Sequence, residues 1–232
     1  MRLLVSGTDT GVGKSVVAAA LARALRARGR RVGVFKPAET GVPEQARPGD
    51  ASDAARLHEA AGSDQPFESV WMYRFAQPLA PLVAARRCGR SIALDDITRR
   101  IAELAGVYQD VLVEGAGGLA VPLTDSADFA ELAARAGMGL LIVARAGLGT
   151  LNHTVLTVRY ARLRGLRIAG LVVNGFLPDS DDPSMQSNPA MLEELTGLPV
   201  LAVLPQLPPS AAGPPAPMLP AGMLDRLLEA GV

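Results

Sequence analysis

A chain of 232 residues, 49% of them apolar, is long enough to bury one sizeable core, and its 23 basic and 23 acidic side chains leave no charge surplus for a general nucleic-acid partner. Its single cysteine, Cys88, excludes an intramolecular disulfide and a cysteine-rich metal module, and points to a reduced compartment. No run of about 18 apolar residues and no cleavable leader is present, since Leu3 to Val5 breaks at once into glycine and polar residues; the expectation is one cytoplasmic domain over residues 1–232 that meets neither membrane nor nucleic acid.

In chain order, Leu3 to Ser6 reads as a buried strand and Val16 to Ala27 as a helix, joined by Gly7-Thr8-Asp9-Thr10-Gly11-Val12-Gly13-Lys14-Ser15. A glycine-rich turn between a buried strand and a helix, ending in Gly-Lys-Ser, is the setting of a phosphate-binding loop. Glycines let backbone N–H groups turn inward, the helix N-terminus adds its positive end, Lys14 reaches the β and γ phosphates, and the Ser15 hydroxyl ligates magnesium. The spacing departs from the common form: Thr8 stands where the first glycine is usual, with Gly7 one residue earlier.

Arg31 to Phe35 is the next strand and runs into Lys36. Helices follow over Ser52 to Ala61 and Asp95 to Ala105, then the strand Val111 to Val113, which ends in Glu114 and Gly115-Ala116-Gly117-Gly118. A helix over Phe129 to Ala136, a strand over Gly139 to Ala144, a helix over Asn152 to Arg164 and a strand over Ile168 to Asn174 come next. Pro178 to Pro189, rich in Asp, Ser and Pro, reads as a loop before a packing helix over Pro189 to Leu195; after the strand Val200 to Leu204, Pro205 to Pro220 reads as a second loop and Ala221 to Ala230 as a short helix. Continuous apolar strands alternating with helices imply a mainly parallel sheet covered on both faces, an α/β fold of three layers, helix, sheet, helix. The strand ends Gly7, Lys36, Glu114, Arg145, Asn174 and Pro205 should line one crevice.

Of the basic residues 21 are arginine, and the only two lysines, Lys14 and Lys36, both follow apolar strands near the N-terminus. A compact ammonium and a planar guanidinium are not interchangeable where a phosphate must be reached in a tight site. A magnesium nucleotide also needs carboxylates. Glu114, ending a buried strand, fits that position. Asp53 fits it too, and equally fits the start of a helix, where Asp and Ser are favoured.

With these residues in view, the sequence resembles the dethiobiotin synthetases, biotin-pathway enzymes of the P-loop ATPase class. The resemblance spans most of the chain and is carried by Gly7 to Ser15, Phe35-Lys36-Pro37 with Thr40-Gly41, Ser52-Asp53, Phe75-Ala76-Gln77-Pro78 with Pro81, Val113 to Gly118, Gly149 through Asn152-His153, and Val173-Asn174. It implies a P-loop NTPase fold and the ATP-dependent closure of 7,8-diaminononanoate with CO2 to a cyclic urea, through a carbamate and a carbamic-phosphoric anhydride, releasing ADP and phosphate. It also implies roles. Lys14 would hold the phosphates, Lys36 would stabilise the carbamate and the transferring phosphoryl, and Thr10 would face the same groups. Gly11, Val12, Gly13, Lys14, Ser15 and Val16 would wrap the phosphates; Ser15, Asp53 and Glu114 would hold Mg2+.

In the run Gly115, Ala116, Gly117 and Gly118 the glycines would let backbone approach phosphate and substrate where a Cβ would clash. Thr40 would contact the substrate. Asn174 and Gly175, with the backbone edge Pro205, Gln206 and Leu207, would surround the base. The resemblance further implies a homodimer with a shared site, in which Gly149, Thr150, Leu151 and Asn152 reach the substrate carboxylate from the partner subunit; the same four residues also read as a plain helix start with Asn152 as cap. His153 is assigned no role. Two departures stand out: Gly11 replaces an acid found in some members, and the run from Leu207 to Ala212 lacks the acid some place near the base.

Rival readings are a septum-site or partition ATPase and a corrin-ring amidase. The first carries a signature lysine where Asp9 stands, and its basic amphipathic tail has no counterpart here. The second needs a glutaminase for which 232 residues leave no room.

Overall fold

The computed structural model describes residues 1–45, 51–207 and 217–231. Seven strands, β1 (Arg2–Gly7), β2 (Val32–Thr40), β3 (Trp71–Phe75), β4 (Asp110–Gly118), β5 (Gly139–Arg145), β6 (Ile168–Phe176) and β7 (Val200–Pro205), form one sheet in the order β3-β2-β4-β1-β5-β6-β7, with every neighbouring pair parallel. Among the described residues eight α-helices connect or cover them: α1 (Lys14–Ala27), α2 (Asp53–Ala61), α3 (Pro81–Arg87), α4 (Leu94–Val107), α5 (Phe129–Arg135), α6 (Thr150–Leu163), α7 (Ser184–Thr196) and α8 (Met223–Glu229).

Consecutive strand residues point to opposite faces, and the buried side chains sort accordingly. Leu4, Val113, Ile142 and Val173 join one core with α3 to α7, whereas Leu3, Val5, Leu112, Leu141 and Val172 join the other with α1, α2 and α8. This is the expected three-layer α/β fold. The chain leaves β1 toward β2 on one side and leaves β4 toward β5 on the other, so the connections diverge between β1 and β4, and a crevice opens beyond their carboxyl ends.

Several boundaries differ from the sequence reading. β2 continues through Lys36 to Thr40, and β4 through Glu114 to Gly118, because β3 and β1 pair with them beyond the apolar stretch: Glu39 lies opposite Arg74, and Gly7 opposite Gly118. The edge strand β3 and the helix α3 were not anticipated. The first carries half-buried Trp71, Met72 and Tyr73 in place of a continuous apolar run, and the second has Pro81 at its first turn, where proline suits a helix. α7 begins at Ser184, inside the expected Pro178 to Pro189 loop, and contains Pro189. Tertiary bonds override the loop-like composition there: Asp182 Oδ1 accepts from the Ser184 N–H at 2.9 Å, and buried Asn188 donates to the Ala146 and Gly147 carbonyls at 2.7 and 3.2 Å. Much of the expected Pro205 to Pro220 loop, residues 208–216, lies outside the described residues, as does residue 232. No described helix is long and apolar enough to cross a membrane.

Candidate active site

The phosphate-binding loop takes the form its glycines permit. Gly13 caps α1 in the left-handed region at φ 94°, and no acid lies in the helix's first turn, so the positive helix end faces the crevice uncompensated. A Cβ at Gly13 would stand 2.1 Å from Asn174 Nδ2, which itself donates to the Val12 carbonyl at 3.0 Å. Gly13→Ala therefore meets both a forbidden backbone region and a side chain that braces the loop. Loss of nucleotide affinity by at least about tenfold is expected, measured by calorimetry, with the fold retained.

The loop opens onto a cavity of about 380 Å³ lined by Thr10, Gly11, Gly13, Lys14, Ser15 and Val16 from its own side, by Lys36 and Thr40 from β2, by Asp53 from α2, and by Glu114, Ala116 and Gly117 from β4. Gly115 takes part through its carbonyl, which accepts from Lys36 Nζ at 3.1 Å. At its centre Lys36, 3% exposed, donates to Asp53 Oδ2 at 2.8 Å and Glu114 Oε1 at 2.6 Å, while Ser15 Oγ lies 2.6 Å from Asp53 Oδ1 and 2.7 Å from Glu114 Oε1. Lys14, 7% exposed, donates to the Asp9 carbonyl at 3.1 Å.

These buried charges act on one another at short range. Burial and the nearby Lys36 ammonium pull Lys14 below the usual lysine value. Burial also opposes charge on Lys36, yet Glu114 and Asp53 overcome it and raise its pKa. Asp53, despite burial, is held below the carboxylate range by Lys36 and by the Ser15 hydroxyl. Glu114 goes the other way: burial and the Asp53 carboxylate push it up to about 7, against the pull of Lys36.

Ser15, Asp53 and Glu114 present hard oxygens to one point, and Glu114 Oε2 is buried with no partner among the described residues. No group of three or more His, Cys, Asp or Glu side chains that could hold a metal gathers among the described residues. Two carboxylates and a hydroxyl beside a phosphate loop suit magnesium, which is commonly held by one or two carboxylates together with phosphate oxygens.

Comparison with known proteins decides among the readings. Residues 1–213 match the family described as an AAA domain. The ATP-dependent dethiobiotin synthetase BioD of Anaeromyxobacter dehalogenans (strain 2CP-C) is 50% identical over 206 residues, covering 89% of this chain and 90% of that protein. The BioD of Aquifex aeolicus (strain VF5) is 44% identical over 198 residues, covering 85% and 86%.

The chain belongs to the dethiobiotin synthetase family.

Solved structures with a similar fold include the septum site-determining protein MinD complexed with Mg-ADP from Pyrococcus horikoshii OT3, with a TM-score of 0.57 and 19% identity over 99% of this chain and 89% of that one. A ParA family ATPase from Chlorobium tepidum TLS has a TM-score of 0.54 and 13% identity over 99% and 90%. These likenesses concern the P-loop fold. Relatives sharing half the sequence place the chain with the dethiobiotin synthetases, as ATP-dependent ligases of biotin biosynthesis, rather than with the partition ATPases.

The other residues singled out for a dethiobiotin synthetase fall in three places. Gly118 lines a neighbouring hollow with Thr8, Val121, Leu156 and Tyr160. Asn174, Gly175, Pro205, Gln206 and Leu207 stand at the ends of β6 and β7, outside the phosphate cavity, where the Gln206 N–H donates to the Phe176 carbonyl at 2.9 Å. Gly149 to Asn152 also lie outside the cavity. The helix start there is corrected: Gly149, at φ 91°, is the cap of α6, and Asn152 already lies in its first turn. Thr150 is fully buried, main chain included, and its N–H donates to the Gly147 carbonyl at 3.3 Å.

Within the glycine run the protein itself crowds Gly117 most. A Cβ on Gly117 would lie 2.8 Å from Val121 Cγ2, whereas at Gly115 or Gly118 it would meet nothing in the protein nearer than 3.6 Å. Glu39 and Arg56 also line the cavity and were missed. Glu39 had a signal, an acid between Pro37 and Thr40 in the strand end that carries Lys36; Arg56 had none beyond its place on α2. Cys88 is exposed, closes α3 and is absent from the cavity lining, so Cys88→Ser is expected to leave turnover within about twofold of the parent in a steady-state assay.

Proposed function

We propose that this chain carries out the full reaction its family resemblance implies: 7,8-diaminononanoate, CO2 and ATP give dethiobiotin, ADP and phosphate. One substrate amine adds to CO2 and loses a proton, forming a carbamate. A carbamate oxygen attacks the γ-phosphorus and the bond to the β-phosphate oxygen breaks, releasing ADP. The second amine attacks the carbonyl of the mixed anhydride, loses a proton, and phosphate leaves as the ring closes. No protein nucleophile is required, so catalysis amounts to positioning and charge stabilisation.

The observation that supports this best is the pairing of the two lysines around one cavity, both nearly buried. Lys14 cradles the phosphates and Lys36 steadies the carbamate and the phosphoryl in transfer. Thr10 and Thr40 give hydroxyl groups to the reacting groups and the substrate. Ser15, Asp53 and Glu114 would hold Mg2+, which would neutralise phosphate charge when bound. The amide of Asn174 and the edge Gly175, Pro205, Gln206 and Leu207 receive the base of the nucleotide.

The site is completed by a second copy of the chain. Leu148, Leu156 and Leu163 are 80%, 56% and 82% exposed; Leu156 and Leu163 lie seven residues apart on one face of α6, and Leu156 lines the hollow that holds Gly118. The start of α6, Gly149 to Asn152, of one copy then meets the substrate carboxylate bound by the other, as a helix N-terminus suits an anion. Purified protein supplied with diaminononanoate, bicarbonate, magnesium and ATP should release phosphate only with the diamine present. Release indifferent to the diamine would overturn the reading, and an active monomer in sedimentation would overturn the shared site.

A further inference from the structure

Beside the cavity, the acid missed in the sequence is one half of a buried charge pair. Glu39 and Arg74 are 3% and 1% exposed and face each other across β2 and β3, with Arg74 Nη1 3.9 Å from Glu39 Oε2. Taking two charges out of water costs several kcal/mol per ion, and such a pair stabilises a fold little more than apolar residues of the same size. Stability alone is a poor reason for it.

Its contacts suggest another. The second oxygen, Glu39 Oε1, accepts the backbone N–H of Asp53 at 2.5 Å, while Ser52 Oγ accepts from Ala55 at 3.1 Å; the first turn of α2 is therefore capped once from within and once by β2. Asp53 is the residue whose two oxygens reach Ser15 and Lys36. On the other side, Arg74 Nε donates to the Pro43 carbonyl at 3.0 Å, and its guanidinium lies 5.4 Å from the Trp71 ring. Pro43 follows Thr40 and Val42, both of which line the cavity. Burial and the Asp53 carboxylate push Glu39 upward, and Lys36, the Asp53 N–H and Arg74 act against this, so Glu39 and the catalytic charges sense one another directly.

We propose that Glu39 and Arg74 are a positioning pair that sets where Asp53 and the turn after Thr40 stand in the cleft. The inference rests on the reading of Asp53 as a magnesium-holding carboxylate. Neither residue touches a reacting atom; the pair acts through the start of α2, and partners behind a metal ligand commonly carry tenfold to a hundredfold in metal affinity.

Three variants test it. Glu39→Leu with Arg74→Met removes both charges together, which avoids a lone buried ion. Compared with the parent, its thermal midpoint should move little. The Asp53 amide should exchange with solvent at least about tenfold faster, and the magnesium needed for half-maximal ATP binding in calorimetry should rise about tenfold. Glu39→Gln with Arg74→Met restores an acceptor for the Asp53 N–H and should recover the amide protection. An unchanged Asp53 exchange rate and magnesium requirement in the first variant would overturn the proposal. Should that variant not fold, Glu39→Val with Arg74→Leu, which also removes both charges and the acceptor for the Asp53 N–H but uses smaller strand-compatible side chains, decides by the same two readings. Amide exchange does not depend on the diamine reaction, so a parent that failed to close the ring would strike the proposed function and leave this result standing.

Discussion

Lys36→Arg is expected to lower turnover by at least about 100-fold, some 2.7 kcal/mol of transition-state stabilisation, while nucleotide affinity changes only a few-fold. The reason is local. The Lys36 ammonium has three N–H donors, and three acceptors surround it: Asp53 Oδ2, Glu114 Oε1 and the Gly115 carbonyl, at 2.8, 2.6 and 3.1 Å. A guanidinium keeps the charge but spreads it over a plane with five donors, a shape that does not fit three acceptors gathered around one ammonium, and the side chain is 3% exposed. Lys14 and the backbone of the loop remain to bind phosphates, which is why binding and turnover should separate. Single-turnover rates and calorimetry on the same preparation measure the two. Near-parental turnover would make Lys36 a strand-end residue without a chemical role.

How much of this was legible in the sequence depends on how local each feature is. The phosphate loop is contiguous, and the strands feeding the crevice are continuous apolar runs, so the fold and Lys14, Ser15 and Glu114 could be placed by reading along the chain. Lys36 was legible for a different reason: with only two lysines against 21 arginines, its position carried information. Asp53 was ambiguous because the same residue both opens α2 and faces Ser15, and the structure shows that it does both. What escaped depends on pairing between distant segments. β3 carries half-exposed aromatic residues and a buried arginine, which no periodicity marks as a strand, and without β3 there is no register to set Arg74 opposite Glu39. The start of α7 escaped for the same reason, since Asn188 is held by carbonyls at the end of β5 that sequence spacing does not reveal. The cap of α6 was misplaced by three residues because Gly149 serves through its positive φ rather than through a side chain.

Glu114→Gln should be the second severe lesion, and its signature lies in pH. Loss of one of two carboxylates facing Ser15 should lower turnover at least about 100-fold and raise the magnesium needed for half-maximal rate about tenfold or more. In the parent, burial and Asp53 push the Glu114 carboxyl up to about 7, so on the acid side of that value the metal-free protein carries a proton that a cation must displace. The sign follows directly: a raised pKa means the proton competes as pH falls, so the half-maximal magnesium concentration should climb toward about tenfold per pH unit below 7 and level off above it. Asp53, held low by Lys36 and Ser15, stays ionised throughout this range and adds no second step. Glutamine has no such proton to give up, and the variant's magnesium requirement should be high but level from about pH 6 to 8. Initial rates over magnesium titrations at several pH values compare the two proteins directly. A parent whose requirement is level across neutrality, or a variant that keeps the parent's slope, would remove Glu114 from the metal site.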